Sequence, residues 1–146
     1  MNIHVANSES EISACFPVFQ ELRPHLLSVD SFVAQVQRQI KNHGYVLVYL
    51  TVDEQIIAAA GYRVAEFLAW GRTFYVDDLI TLSQARKQGC GGKLLDWLID
   101  KARELSCDQL HLDSGVHRYD AHRLYMSRKM QVSSHHFSMK LKREGI

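Results

Sequence analysis

Apolar and polar residues alternate along the chain with two different periods, and each change of period marks the boundary of a predicted element. Residues 2–6 alternate as in a strand, and the cluster Ser8–Glu11 can cap a helix that runs to about Leu22, with Pro17 in its middle. A second stripe with helical spacing predicts a helix over about residues 30–41. Two short helices are therefore expected after the first strand.

The segment from Tyr45 to Leu82 is rich in β-branched and aromatic residues, as strands are. Two pairs of residues, Asp53-Glu54 and Trp70-Gly71, interrupt it and mark tight turns. Consecutive strands joined by tight turns run antiparallel. The pattern thus predicts three strands in an antiparallel meander.

Three glycines, at positions 89, 91 and 92, precede the clearest helical pattern, in which leucines recur at helical spacing from Leu94 to Leu105. Residues 107–113 then predict a short strand, which should lie parallel to the strand before this helix because a helix connects the two. Another helix is predicted over residues 119–130. The alternation over residues 133–142 predicts a final strand.

The chain has 146 residues, of which 47% are apolar and 23% charged, and its formal net charge is +1. This length predicts a single domain over residues 1–146, and the small charge argues against nucleic acid or membrane as a partner. Three scattered cysteines argue against both a disulfide framework and a zinc site. Because no secretory leader or long apolar stretch is seen, we expect a soluble, cytoplasmic protein.

The stretch ARKQGCGGKLL, Ala85 to Leu95, has the composition of a phosphate-binding loop. The nucleotide P-loop pattern fails because Lys87 and Leu94 occupy its first glycine and hydroxyl positions. The dinucleotide pattern fails because Leu94 stands where its third glycine belongs. Glycine lets the main chain approach a phosphate closely, and N–H groups at a helix start have no partner within the helix. The main chain from Lys87 to Gly92 is therefore expected to supply donors to a diphosphate of another kind.

The order of elements and the residues of this loop resemble the GNAT superfamily of N-acetyltransferases. The family's acetyl-CoA loop reads Gln or Arg, two residues, Gly, one residue, Gly or Ala, and Arg86, Gly89 and Gly91 satisfy it. Residues 121–130, AHRLYMSRKM, resemble the family's Ala-x-x-(aromatic or Leu)-Tyr-x-x-x-Gly-Phe segment. The resemblance implies an α/β (α+β) fold with a mixed, mostly antiparallel sheet of six to seven strands, about four flanking helices, and splayed fourth and fifth strands.

The resemblance also implies an acetyl-CoA-dependent N-acetyltransferase, with acetyl-CoA as cosubstrate and no metal. The loop expected to bind the diphosphate comprises Arg86, Lys87, Gln88, Gly89, Cys90, Gly91 and Gly92. By spacing from Arg86, the backbone of Leu79, Ile80 and Thr81 should bind the pantetheine arm and polarise the thioester carbonyl. Cys90 lies in the phosphate loop, far from the thioester, so direct transfer in a ternary complex is expected.

Acetyl transfer needs a base for the amine proton and an acid for the leaving thiolate. Tyr125 matches the family's tyrosine on the last helix and is the candidate acid, the alternative being a core tyrosine. Asp77 and Asp78 are adjacent on a strand, so they should point to opposite faces. They resemble the acidic pair of polyamine-acetylating members. Asp77 is the first candidate base and Asp78 the second, an order that a bulge in this strand could invert; the alternative is that both are structural.

The acceptor pocket of this fold is lined by the loop between the first two helices and by the last hairpin. Arg23 beside Pro24 could clamp a carboxylate on the acceptor, and His136 on the final strand flanks the acceptor side; either could instead be structural. The acceptor is expected to be the primary amine of a small molecule, with a protein N-terminus or lysine as the alternative. A homodimer through the final strand is also compatible with the resemblance.

Two residues depart from the family's pattern. Arg118 stands where many relatives have Asn, which could change how the last helix docks, and Lys129 stands where they have Gly. The turn at Lys129 is therefore either not left-handed or left-handed under mild strain.

The rival function is a non-catalytic acyl-CoA-binding sensor, which would keep the loop without the acid and the base.

Overall fold

Five strands and five α-helices make up the part of the chain that the computed structural model describes, residues 1–86 and 88–142. In chain order they are β1 (Asn2–Val5), α1 (Glu9–Ala14), α2 (Phe16–Leu22), α3 (Val29–His43), β2 (Val46–Val52), β3 (Gln55–Phe67), β4 (Gly71–Thr81), α4 (Cys90–Glu104), β5 (Gln109–Leu112) and α5 (Tyr119–Ser127). Internal contacts divide the chain into two units, residues 1–112 and the residues from Asp113 onward. The expectation of a single domain stays a prediction. None of the described helices is long and apolar enough to cross a bilayer.

The five strands form one sheet in the order β1-β2-β3-β4-β5. The first four are antiparallel neighbours, which confirms the predicted meander, and β5 lies parallel to β4 as predicted from the crossover through α4. The turn between β2 and β3 holds Asp53 and Glu54 at positive φ angles of 49° and 65°. Two left-handed residues in succession match the twist of the strands they join, so a two-residue turn suffices here.

β4 and β5 separate after four paired residues. Thr73–Val76 pair with Gln109–Leu112, whereas β4 continues to Thr81. From Asp77 onward, the edge of β4 that faces away from β3 has no strand partner among the described residues. This divergence confirms the predicted splay, and it leaves main-chain polar groups open to a ligand.

One extra residue interrupts the pairing of β3 with β4. Gly61 lies opposite Asp78 and Tyr62 lies opposite Val76, so Asp77 has no partner of its own on β3. A β-bulge of this kind bends the strand and re-aims its side chains. The two consecutive aspartates therefore do not follow the alternation of a regular strand.

The N-terminal helical segment begins at a cap that the sequence predicts and then breaks where it contains proline. Ser8 Oγ accepts a hydrogen bond from the N–H of Glu11 at 3.2 Å, and Glu11 Oε1 accepts one from the N–H of Asn7, also at 3.2 Å. The single first helix that was predicted is two helices, α1 and α2, which meet at Cys15. The reason is Pro17, which has no N–H to donate and is tolerated only in the first turn of a helix.

The core of the first unit forms where the apolar faces of α1, α2 and α3 pack on β2, β3 and β4. Its buried residues are Ala6, Ile12, Cys15, Val18, Phe19, Phe32, Val33, Val36, Tyr45, Leu47, Ala59 and Ile80. Leu94, Leu95 and Leu98 of α4 are also fully buried but do not belong to this cluster; α4 packs on β3, β4 and β5. Each such side chain contributes about 1.5–3 kcal/mol when buried, so β4 and the start of α4 are held by well-packed elements.

The final strand predicted over residues 133–142 is not formed, and the sheet has five strands rather than six or seven. The apolar residues that produced the alternation are exposed: Phe137 is 91%, Met139 81% and Leu141 89% accessible. A strand needs a neighbouring strand to pair with its N–H and C=O groups, and none of the described residues pairs with this segment. Alternation in the sequence carries no information about whether such a neighbour exists.

α5 ends in a left-handed turn that is formed by a lysine. Lys129 has a φ angle of 63°, the N–H of Met130 donates to the Tyr125 carbonyl at 3.1 Å, and the N–H of Lys129 donates to the Met126 carbonyl at 2.9 Å. This pair of hydrogen bonds is the Schellman arrangement, in which the left-handed position is usually glycine. Of the two predicted alternatives, the turn is therefore left-handed in spite of the missing glycine.

We expect Lys129→Gly to stabilise the protein by about 0.5–1 kcal/mol, because glycine removes the cost of a Cβ in the left-handed region while losing some conformational entropy. Urea denaturation measures this change. Lys129→Ala is the matched control, since it removes the charge but keeps the Cβ. An equal gain in the alanine variant would show that the lysine charge, and not the backbone conformation, is responsible.

Candidate active site

The loop before α4 is shaped by a glycine in the left-handed region. Gly89 precedes the first residue of α4 with φ 79° and ψ 7°. A Cβ placed there would meet no atom within 4 Å, so the glycine is required by the backbone angle and not by lack of space. Cys90, the first residue of the helix, is buried.

The first N–H groups of α4 have no acceptor within the part of the chain that the structure describes. The first hydrogen bond of the helix runs from the N–H of Lys93 to the Gly89 carbonyl at 3.0 Å. Among the described residues, none accepts a hydrogen bond from the N–H groups of Gly89–Gly92. Unpaired N–H groups and the helix dipole together form an anion site, so these residues fit the diphosphate of acetyl-CoA. Lys87, which belongs to the predicted loop, lies outside the described residues, and Gln88 is exposed.

Glu21, near the end of α2, contacts Arg86 and the segment that leads into the phosphate loop. Glu21 Oε1 accepts a hydrogen bond from the N–H of Ser83 at 2.7 Å and lies 3.8 Å from Arg86 Nη2. Arg86 Nε also donates to the Thr81 carbonyl at 3.4 Å. Glu21 thus connects the end of α2 to the segment that leads into the phosphate loop.

The three β4 residues expected to bind the pantetheine arm lie in the splayed part of the strand. Leu79, Ile80 and Thr81 pair with β3 on one side, opposite Ala60, Ala59 and Ala58. On the other side no described strand pairs with them. This edge therefore has no strand partner at the position that the resemblance implies for the pantetheine arm, although the Thr81 carbonyl accepts the hydrogen bond from Arg86 Nε.

A pocket of about 390 Å³ opens on the first unit beside the bulge of β4. It is lined by Phe19, Arg23, His25, Leu26, Phe32, Gln35, Val36, Gln39, Tyr45, Arg63, Tyr75, Asp77 and Asp78. This volume is in the range of small-molecule sites. The lining combines an apolar wall from α2 and α3 with a charged wall from β3 and β4.

Asp77 and Asp78 both line this pocket, so the expectation that they point to opposite faces is wrong. The physical reason is the bulge, which inserts Asp77 without a partner on β3 and brings both side chains to one side of the sheet. A bulge that only inverted the order of Asp77 and Asp78 as candidate bases would still leave their side chains on opposite faces. The structure instead brings the two carboxylates together.

Asp77 forms a two-pronged ion pair with Arg63. Arg63 Nε donates to both carboxylate oxygens at 3.1 Å, and its Nη2 donates to Asp77 Oδ2. The guanidinium also lies over the ring of Tyr45, 5.5 Å from its centroid. Burial raises the pKa of Asp77 above its usual value, and the hydrogen bonds from Arg63 offset only part of this rise. A carboxylate with a raised pKa is a stronger base than an exposed one.

Asp78 is held by Arg23 and Tyr45, which come from two other elements. Arg23 donates to Asp78 Oδ1 from Nη2 at 3.0 Å and from Nε at 3.3 Å, and its Nη2 also donates to the Asp77 carbonyl at 3.1 Å. The Tyr45 hydroxyl donates to Asp78 Oδ2 at 2.8 Å. Burial first, and the Asp78 carboxylate second, raise the pKa of Tyr45 well above 10.0, so this phenol remains a donor.

Gly61 makes the contact between Tyr45 and Asp78 possible. A Cβ on Gly61 would lie 1.8 Å from the Tyr45 hydroxyl oxygen and 2.2 Å from the ring carbon that carries it. The ring therefore crosses the β3 backbone at a position that only glycine leaves open.

Three residues of this network, Tyr45, Gly61 and Arg63, were missed in the sequence analysis, as was the anchoring role of Glu21. Tyr45 and Arg63 belong to a segment that the sequence identifies only as strand-like. A glycine inside a predicted strand does signal a bulge or a close backbone approach, and Gly61 was the one available sign.

The second unit contains Tyr125, which is 8% accessible. Burial raises its pKa above 10.0, and the nearby Arg118 offsets part of the rise, so the phenol is protonated at neutral pH. In the same unit, the buried Ser114 hydroxyl lies beside the Tyr125 phenol and also offsets part of the rise in its pKa, although the two groups do not reach the geometry of a full hydrogen bond.

Two other expectations fall in this second unit. Arg118 precedes α5 and makes no side-chain hydrogen bond that caps this helix, and its effect on the docking of the helix stays a prediction. His136 Nδ1 lies 3.3 Å from Asp113 Oδ1, and both side chains are at least half exposed. Its role toward the acceptor stays a prediction. Within the described residues, no group of three His, Cys, Asp or Glu side chains is placed to hold a metal ion.

Comparison with known proteins gives the family. The model of the acetyltransferase (GNAT) family matches residues 9–130, most of the chain. The chain belongs to the GNAT family. It is therefore an acetyl-CoA-dependent acyltransferase, and the five-stranded mixed sheet with its parallel β4–β5 pair is the GNAT sheet.

Among curated proteins, the chain is 30% identical over 118 residues to the uncharacterized N-acetyltransferase YhdJ of Bacillus subtilis (strain 168). The matched residues make up 81% of this chain and 82% of that protein. It is 30% identical over 66 residues to an aminoalkylphosphonate N-acetyltransferase of Salmonella typhimurium, over 45% of this chain and 43% of that protein. The solved structure of the acetyltransferase AAC(6')-Iy, in complex with a CoA-containing bisubstrate analogue, has a TM-score of 0.82 at 10% identity, covering 97% of this chain and 98% of that one. At that identity the structural likeness shows the shared fold.

We expect Gly61→Ala to destabilise the protein by about 2–3 kcal/mol, because the new methyl group overlaps the Tyr45 ring and breaks its hydrogen bond to Asp78. Chemical denaturation measures the loss.

The control is the same substitution in a Tyr45→Leu background, where the ring is absent. There the cost should fall below about 1 kcal/mol, since alanine is no worse than glycine in a strand. An unchanged cost in that background would contradict the crossing of the Tyr45 ring over Gly61.

Proposed function

We propose that this GNAT enzyme transfers the acetyl group of acetyl-CoA directly to the primary amine of a small molecule, within a ternary complex. The observation that carries the proposal is the set of N–H groups over Gly89–Gly92, which have no acceptor among the described residues and stand at the start of a helix. They supply the donors for the diphosphate, and Arg86 adds a full charge beside them. The open edge of β4 at Leu79–Thr81 binds the pantetheine arm.

The pocket beside the bulge supports a small acceptor. Its volume of about 390 Å³ matches a metabolite, and its charged wall carries Asp77 and Asp78. The Salmonella relative named above acts, by its name, on aminoalkylphosphonates, which are small primary amines. We therefore place the acceptor amine in this pocket, with Arg23 among its ligands.

The chemistry assigned to these residues is a single displacement. The amine nitrogen bonds to the acetyl carbon, the carbon–sulfur bond breaks, and the thiolate takes a proton. Asp77 is the proposed base, because its pKa is raised by burial, and Asp78 is the second candidate. Tyr125 is the proposed acid, supported by its match to the family tyrosine and by a raised pKa that keeps it protonated.

We expect Gly89→Ala to weaken acetyl-CoA binding about tenfold or more, because a side chain at φ 79° strains the loop that aligns the N–H donors. Calorimetry with CoA measures the affinity directly. Gly44→Ala is the matched control: Gly44 follows the end of α3 at a positive φ of 66° and, like Gly89 at the start of α4, has free space around its Cβ position. It should lose comparable stability without losing affinity for CoA. Equal affinity losses in both variants, or no heat with CoA in the wild type, would contradict the proposed diphosphate site.

We expect Tyr125→Phe to lower kcat by about 10²–10⁴, the usual contribution of a general acid, while the affinity for acetyl-CoA stays unchanged. Free CoA release measures turnover, and calorimetry measures affinity. Tyr119→Phe is the control on the same helix, because Tyr119 is 66% accessible. A Tyr125→Phe enzyme with full turnover would leave Tyr125 as a core tyrosine only.

A further inference from the structure

In the charged wall of the acceptor pocket, Arg23 is the most exposed charged group of the two ion pairs. In the pair of Arg23 with Asp78, the side chains are 43% and 14% accessible, and in the pair of Arg63 with Asp77 they are 28% and 21% accessible. Among the described residues that line the pocket, no other side chain is acidic. An approaching molecule therefore reaches Arg23 more readily than Asp78, whereas Arg63 and Asp77 are about equally accessible.

The two arginines donate from the same atoms and differ in exposure. Each makes three hydrogen bonds from Nε and Nη2, and no described residue accepts a hydrogen bond from the Nη1 of either. Arg63 is 28% accessible and lies over the Tyr45 ring, whereas Arg23 is 43% accessible. Because a guanidinium group has five N–H donors, Arg23 keeps an unused edge that can bind an anionic oxygen.

Each carboxylate is paired with an arginine, but one oxygen of each can still accept a further hydrogen bond. Asp77 Oδ1 accepts one hydrogen bond, from Arg63 Nε, and Asp78 Oδ2 accepts one, from the Tyr45 hydroxyl. A carboxylate oxygen has about two acceptor sites, so each of these oxygens can accept one more N–H. The pocket thus offers unused donors and unused acceptors, with no net negative charge from its acidic residues that would attract a polycation.

We propose that the acceptor is a small amine that also carries an anionic oxyacid group, a carboxylate or a phosphonate, and that Arg23 binds this group through Nη1. This inference rests on the proposed function, because it concerns the acceptor of that same pocket. The anionic group pairs with the outer edge of Arg23 while the amine donates toward Asp77 and Asp78. A polyamine, the acceptor suggested by the acidic pair alone, is disfavoured because both acids already have cationic partners.

Acceptors of matched length test this inference through free CoA release. They are β-alanine, 2-aminoethylphosphonate, the neutral β-alaninamide and the dicationic 1,3-diaminopropane. We expect kcat/KM for the two anionic amines to exceed that for the amide by roughly 10- to 100-fold, the range of one charge-assisted hydrogen-bonded pair. The two anionic compounds together show whether carboxylate or phosphonate is preferred.

Arg23→Gln should reduce the ratio of acid to amide kcat/KM to near one, and Arg23→Lys should restore part of it. The ratio is the readout because loss of Arg23 also removes the cationic partner of Asp78, which would slow the reaction of every acceptor alike. Arg103→Gln is the control, since Arg103 is an exposed arginine on α4 that pairs with Asp100. The wild-type ratio needs no variant, so it decides the question even if Arg23→Gln fails to fold.

Equal or better turnover of the amide or the diamine by the wild-type enzyme would overturn this inference and leave the proposed function intact. A ratio unchanged in Arg23→Gln would remove Arg23 from the recognition of the acid and overturn the assignment to Nη1. Absence of CoA release with all four amines would contradict the proposed function together with the inference.

Discussion

A carboxylate is costly to shield from water without a partner, and the bulge at Asp77 brings two carboxylates to one side of the sheet. Three neighbouring parts of the chain supply partners for these two carboxylates. β3 supplies Arg63, the end of α2 supplies Arg23, and the residue before β2 supplies Tyr45. One extra residue in β4 thus determines which charged groups must gather around the acceptor pocket.

The hydrogen bond that pairs Asp78 with Tyr45 also restricts which residue β3 can have at position 61. The ring of Tyr45 reaches Asp78 only by crossing β3, and so β3 has glycine at position 61. The ring then forms a face on which the Arg63 guanidinium lies. Packing and electrostatics are therefore linked here, because a change in the volume at Gly61 alters the hydrogen bonding of a carboxylate on the neighbouring strand.

Both ligand regions of the first unit lie where main-chain pairing stops. β5 leaves β4 after Val76, which opens the edge of the strand, and α4 begins with N–H groups that have no acceptor among the described residues. β4 therefore serves two purposes: its backbone is open on the splayed edge, and its side chains Asp77 and Asp78 line the pocket. A substitution in this strand is expected to affect the coenzyme and the acceptor together.

The sequence by itself determined those features that depend on local chemistry. Periodicity located the meander, α3 and α4, the glycines marked the phosphate loop, and the motif around Arg86 and Tyr125 indicated the GNAT family, because each of these signals lies within a short stretch of chain. Pro17 is also a local signal, but the pattern around it predicted one helix where the structure has two.

Only the tertiary structure decided the features that depend on what lies opposite a residue. The bulge depends on the register between β3 and β4, the partners of Asp77 and Asp78 come from segments far away in the chain, and the segment 133–142 lacks the neighbouring strand that its alternation suggested. The alternation of apolar and polar residues along a strand indicates which face of the sheet each side chain prefers. It does not indicate which residue lies opposite on the neighbouring strand, because strand pairing and ion pairs join distant parts of the chain.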